Sequence, residues 1–162
     1  MKSSRTFTNN TQISQFTDEY WMGIALAEAK QAFDENEIPV GAVLIKNNEI
    51  VLRSHNLTRQ TDNPLSHAEM LILNEIQKTD KYLYDYTLFV TLEPCLMCSG
   101  AIILSKLGRL VYGAKDPKTG VVGSVYNVMT EKSFNHHPAI TSGVLENECG
   151  QVLKRFFKAK RS

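Results

Sequence analysis

His67-Ala68-Glu69 and, further along, Pro94-Cys95-Leu96-Met97-Cys98 supply one imidazole, two thiols and a carboxylate. Structural zinc sites close with four Cys or His ligands, whereas catalytic ones hold three protein ligands and keep a position open to water. Three donors with a spare carboxylate nearby fit a hydrolytic centre. Cys95 and Cys98 are three positions apart, so one helical turn puts both sulfurs on one face. Pro94 suits a first helical turn, where its missing N–H costs nothing, and the positive end of the helix dipole favours thiolates there. Pro64 and Ser66 mark a helix start just ahead of His67. Glu69 follows His67 by two residues, the wrong spacing for a second ligand on one helix face. It is close enough to exchange protons at the site. The candidate ligands of one zinc ion per chain are His67, Cys95 and Cys98, with Glu69 as the candidate acid/base.

A lone Cys-x-x-Cys fits half of a structural zinc knuckle or a redox pair equally well. The other Cys and His residues are His55, His136, His137 and Cys149. None pairs with His67 at the spacing of a finger.

Composition sets the frame. At 162 residues the chain fits one domain with a single core, and 43% hydrophobic with 22% charged residues is ordinary for a globular protein. A net charge of +1 leaves any nucleic-acid preference to local clusters. Three cysteines, two of them assigned to metal, argue against a disulfide scaffold and for a reducing, cytoplasmic setting. No apolar run approaches the roughly 20 residues of a membrane span. Met1 to Gln15 is polar and lacks the apolar centre of a signal peptide. We expect residues 1–16 to be a flexible extension and 17–162 to form the domain.

The elements that position the donors follow from periodicity. Thr17-Asp18 caps a helix running to about Asp34, with Trp21, Ile24, Ala25, Ala29, Ala32 and Phe33 on its apolar face. Val40 to Ile45 reads as a buried strand, Asn47-Asn48 as a turn, and Ile50 to Ser54 as the hairpin partner. The helix after His67 turns Leu71, Ile72 and Ile76 inward. Thr87 to Leu92 is a strand feeding Cys95, the next helix ends at Gly108, and Leu110 to Tyr112 is a fourth strand. Strand–helix alternation from Thr87 onward implies parallel pairing. Ala114 to Val125 is an irregular loop, and Ile140 to Leu145 is expected as a fifth strand. A last helix, about Glu146 to Lys160, buries Cys149, Val152, Leu153, Phe156 and Phe157, and carries basic Lys154, Arg155, Lys158, Lys160 and Arg161. Cys95 thus follows a strand's carboxyl end, where open α/β sheets bind ligands.

His-x-Glu followed by Pro-Cys-x-x-Cys is similar to the signature of the zinc-dependent nucleobase deaminases. Further stretches make the chain resemble the bacterial tRNA-specific adenosine deaminases from about Tyr20 to Arg161. These are Tyr20-Trp21-Met22, Pro39-Val40-Gly41-Ala42-Val43, Val90-Thr91-Leu92-Glu93-Pro94-Cys95, Lys118-Thr119-Gly120, Gly123-Ser124, Asn135-His136 and Phe156-Phe157. The resemblance implies an α/β, three-layer cytidine deaminase-like fold with a central mixed five-stranded sheet flanked by helices. It implies deamination of adenosine to inosine at the wobble position of a tRNA anticodon loop, by a zinc-containing homodimer with no organic cofactor. It makes His67, Cys95 and Cys98 the zinc ligands, Glu69 the proton shuttle, Asn56 a base contact, the Ala68 N–H a holder of the base edge, and Asp116 a residue near the target ribose. Asn56 and Asp116 also fit ordinary turn chemistry. Ser66, where many relatives carry Ala, is a departure outside the catalytic set. A deaminase of free nucleobases and a non-catalytic zinc-stabilised RNA-binding module are the competing readings. Glu69 speaks against the module, and the basic helix with the Asp116 loop speaks against the free-base enzyme.

Overall fold

A computed structural model describes residues 16–161. Helix α1 (Asp18–Asp34) starts where the Thr17 hydroxyl accepts from the Tyr20 N–H at 3.2 Å, with Asp18 and Glu19 complementing the dipole. It buries Trp21, Met22, Ala25, Leu26, Ala29 and Ala32. Strands β1 (Gly41–Lys46) and β2 (Glu49–His55) form a hairpin. Asn47 and Asn48 both take positive φ, 52° and 59°, as a two-residue turn with right-handed strand twist requires. Then follow α2 (Ala68–Ile76), β3 (Thr87–Leu92), α3 (Leu96–Leu104), β4 (Arg109–Ala114), a 3₁₀ turn (Val128–Thr130), β5 (Ala139–Thr141) and α4 (Glu146–Arg161).

The sheet order is β2-β1-β3-β4-β5. β1 pairs antiparallel with β2 and β3, and β3, β4 and β5 run parallel, which is the expected mixed five-stranded sheet. Alternate strand residues face opposite layers. Val43, Ile45, Phe89 and Val111 pack on α1 and α4 with Trp21, Cys149 and Val152. Ala42, Leu44, Leu88, Val90, Leu110 and Tyr112 pack beneath α2 and α3 with Ile72, Ile76 and Ile102. Gly41 lets α1 cross close over β1, since a Cβ there would stand 2.0 Å from the Ala25 carbonyl oxygen.

The structure corrects several details. Leu73 is buried in α2, and Leu71 is only half-buried. β5 stops at Thr141 because Gly143 and Leu145 take positive φ, 79° and 52°, which no strand accommodates. Phe157 is 43% exposed because it lines a cavity instead of the core. Of the anticipated N-terminal extension, residues 1–15 lie outside the described residues, while Phe16 stacks on Tyr20 with ring centroids 4.5 Å apart.

Candidate active site

Two helix starts meet beside the end of β3. Cys95 is the N-cap of α3 and His67 the N-cap of α2, both with extended backbone, and neither spends its side chain on capping. The imidazole and thiol are therefore free to face each other. His67 Nδ1 lies 3.5 Å from the Cys95 Sγ and 3.5 Å from the Cys98 Sγ, and one donor atom from each residue lies within 4.8 Å of the others. A tetrahedral zinc with bonds of about 2.05 Å to nitrogen and 2.3 Å to sulfur separates those atoms by about 3.6 Å. The triad fits the ion. No other cluster of three such donors forms among the described residues.

The remaining Cys and His residues have other partners. His55 is clamped between Glu28 at 2.7 Å and Glu35 at 2.6 Å. His136 bonds to the Leu107 carbonyl and His137 to that of Met129. Cys149 is buried in the opposite core layer against Gly113.

Charge is finely placed here. The Cys95 thiol falls to about 4, chiefly because the Cys98 thiol donates to its sulfur, while that same donation pushes the Cys98 pKa up. His67 is raised, first by its hydrogen bond with Cys95. Glu69, in the first turn of α2 and only 4% exposed, has its carboxyl pKa raised by burial. A carboxyl poised to hold or release a proton is what acid/base work needs.

These groups open onto one cavity of about 560 Å³. Asn56, His67, Ala68, Glu69, Cys95 and Asp116 all line it, whereas Cys98 sits fully buried behind them. Ala68 occupies the first position of α2, where the backbone N–H has no intrahelical partner. Asn56 uses its side-chain oxygen to accept from the Thr58 N–H at 2.9 Å, so its NH₂ is the group left for a ligand. Asp116 accepts from the N–H groups of Lys118 and Thr119 and from the Thr119 hydroxyl. The turn chemistry anticipated for both residues is present, and both still border the cavity. Ile38, Val40, Leu92, Leu153 and Phe157 form apolar walls, and Lys115, Lys118, Lys154 and Arg161 bring positive charge.

The cavity does not gather the whole C-terminal basic cluster. Lys154 and Arg161 line it, but Lys160 bonds to the Asn36 side chain and lies 5.4 Å over the Phe156 ring. Sequence reasoning missed Lys115, Lys118 and Glu93 as cavity residues. Their signal is weak, since lysines in a polar loop and a glutamate before a proline carry no periodicity.

Residues 15–114 match the cytidine and deoxycytidylate deaminase zinc-binding region. The chain is 47% identical to a tRNA-specific adenosine deaminase of Bacillus subtilis over 146 residues, covering 89% of this chain and 91% of that one. It is 42% identical to a tRNA-specific adenosine deaminase of Aquifex aeolicus over 146 residues, 89% and 96% of the two chains. A solved structure from studies of A-to-I editing by tRNA:A34 deaminases at the wobble position superposes with a TM-score of 0.78 at 37% identity, over 82% of this chain and 98% of that one. A guanine deaminase of Nitrosomonas europaea, at 20% identity, TM-score 0.68 and coverage of 86% and 84%, shares the fold.

Proposed function

The chain belongs to the tRNA-specific adenosine deaminase family, and on that premise we propose that it hydrolyses adenosine to inosine at the wobble position of a tRNA anticodon. The observation that carries this reading is the convergence of a three-donor metal set, a buried acid and basic side chains on one cavity. A zinc ion held by His67 Nδ1 and the sulfurs of Cys95 and Cys98 would supply the polarisation that lets water lose a proton near neutral pH.

The chain's own groups do the rest. Glu69 takes a proton from the attacking water and passes it to N1 of adenine as the water oxygen bonds to C6. It then takes the second proton of that oxygen and delivers it to the 6-amino group as the C6–N bond breaks, so ammonia leaves and inosine remains. One carboxylate acts as base and acid in turn, which its raised pKa supports. The Asn56 NH₂ and the Ala68 N–H donate to acceptors on the base. Asp116, on the cavity wall, is the residue we assign to the target ribose, where a 2′-hydroxyl contact would separate RNA from DNA. The base must be unstacked to enter, and an anticodon loop presents it that way. Lys115, Lys118, Lys154 and Arg161 around the cavity favour a polyanion over a free nucleobase.

The working form we propose is a cytoplasmic homodimer. In its support, α3 leaves Leu96 and Leu104 exposed at 65% and 78%, on one face with Gly100 between them. Among the described residues no helix is long and apolar enough to cross a membrane. The deciding experiment is incubation with an anticodon stem-loop carrying adenosine at the wobble position, reading out inosine. Equal efficiency on free adenosine, cytidine or guanine would overturn the tRNA reading, because remote contacts should raise turnover as well as affinity.

A further inference from the structure

Glu93 follows the last residue of β3, immediately before the Pro-Cys-x-x-Cys motif, and is 2% exposed. A charge that deep is costly unless its acceptor sites are filled. Here they are filled by a single loop, the one that carries Asp116. Oε1 accepts from the Asp116 N–H at 3.2 Å and from the Ser124 hydroxyl. Oε2 accepts from the N–H groups of Val122 at 2.9 Å and Ser124 at 3.1 Å. Three N–H groups spaced along one loop thus converge on a single anion, and each bond is charge-assisted. The loop is shaped around the carboxylate: a Cβ on Gly120 would stand 2.4 Å from its Cδ and 2.5 Å from Oε2. The neighbouring Val121 N–H adds a bond to the Pro94 carbonyl at 3.1 Å.

From this geometry we propose that Glu93 is the positioning residue of the substrate loop. It fastens the cavity wall of Lys115, Asp116, Lys118 and Thr119 to the strand end that also presents Cys95. The proposal rests on the deaminase reading only for what the loop touches; that Glu93 holds the loop stands apart from it. Two oxygens that each accept twice admit no glutamine, because whichever site becomes NH₂ faces a backbone N–H. Glu93→Gln is therefore isosteric but leaves at least one loop amide unpaired.

The test uses the full-length zinc-loaded protein and three readouts. In Glu93→Gln, hydrogen exchange at the amides of Asp116, Val122 and Ser124 should accelerate by roughly tenfold or more, while amides of β1 keep their protection. Zinc content should stay near that of the wild type. With the wobble-adenosine stem-loop, KM should rise by about tenfold or more and kcat should change less, the mark of lost binding. Ser124→Ala deletes one donor and should show the same pattern in smaller measure, and it carries the test if Glu93→Gln does not fold. Wild-type exchange at those three amides would overturn the proposal. So would loss of zinc, or a collapse of kcat at unchanged KM, either of which would place the effect at the metal centre. If the wild type makes no inosine, the functional reading fails, and the exchange measurement still decides the role of Glu93.

Discussion

Glu69 and the three metal donors divide their work by position on the helices. His67 and Cys95, as N-caps, aim inward, and Cys98 in the first turn of α3 adds the second sulfur from full burial. Glu69 stands in the first turn of α2, lining the cavity without joining the donor cluster. Glu69→Ala should therefore keep zinc and fold while deamination falls by at least about 10²–10⁴, the usual worth of general acid/base catalysis. A stem-loop assay beside elemental analysis checks it, and a variant keeping a tenth of wild-type turnover would remove Glu69 from the chemistry. Cys98→Ala leaves two donors. Zinc content should drop well below one equivalent and the melting temperature should fall, because metal that binds only the folded chain stabilises it. An unchanged melt with full zinc would show that Cys98 is no ligand.

The elements that carry these residues are fixed by a few buried or paired charges. Glu37, fully buried after α1, accepts from the Arg59 and Gln60 N–H groups and the Thr58 hydroxyl, holding the loop between Asn56 and His67. Glu37→Ala strands those donors and should cost about 2–4 kcal/mol in urea unfolding. At the far end Arg109 of β4 grips Asp18 of α1 through two bonds, 2.8 and 2.6 Å, and also donates to Thr141 of β5. The Arg109 hydrogen bond holds the Asp18 carboxyl below its ordinary range. A lowered folded pKa gives stability that is present above the unfolded value of about 3.9 and is lost as pH falls through the folded one. Asp18→Asn should be less stable than wild type at neutral pH, with the difference closing in acid; a gap that persists below pH ~2 would show that the charge is not its source. The helices and the β1–β2 hairpin were legible because apolar spacing and an Asn-Asn turn are local signals. Glu37 and Glu93 were not. Their backbone partners lie 22 to 31 residues away, and nothing local distinguishes a buried carboxylate from a solvated one. Phe157 misled for the converse reason: its spacing fits a core position, but the sheet beneath has already given way to the cavity.

Across the whole molecule a net charge of +1 carries no attraction for RNA, so affinity has to come from where the cations sit. Lys118 on the Asp116 loop and Lys154 and Arg161 on α4 border the cavity from separate elements, a spread suited to phosphates on a backbone curving past the flipped base. Each lysine or arginine that pairs with a phosphate releases counterions, and the logarithmic salt slope falls by about 0.7 per contact on single-stranded nucleic acid. Neutralising Lys118, Lys154 and Arg161 together should weaken stem-loop binding at low salt and flatten the slope by up to about two units. Turnover at saturating RNA should fall less than affinity, since Glu69 and the zinc ligands are untouched. Lys160 supplies the internal control: engaged with Asn36 and Phe156, it should leave the slope unchanged when replaced by Ala. Asp116 supplies the contrast, because its replacement should shift the preference between ribose and deoxyribose at the target and move the slope little. A triple variant that binds as tightly as wild type across the titration would put the RNA path elsewhere.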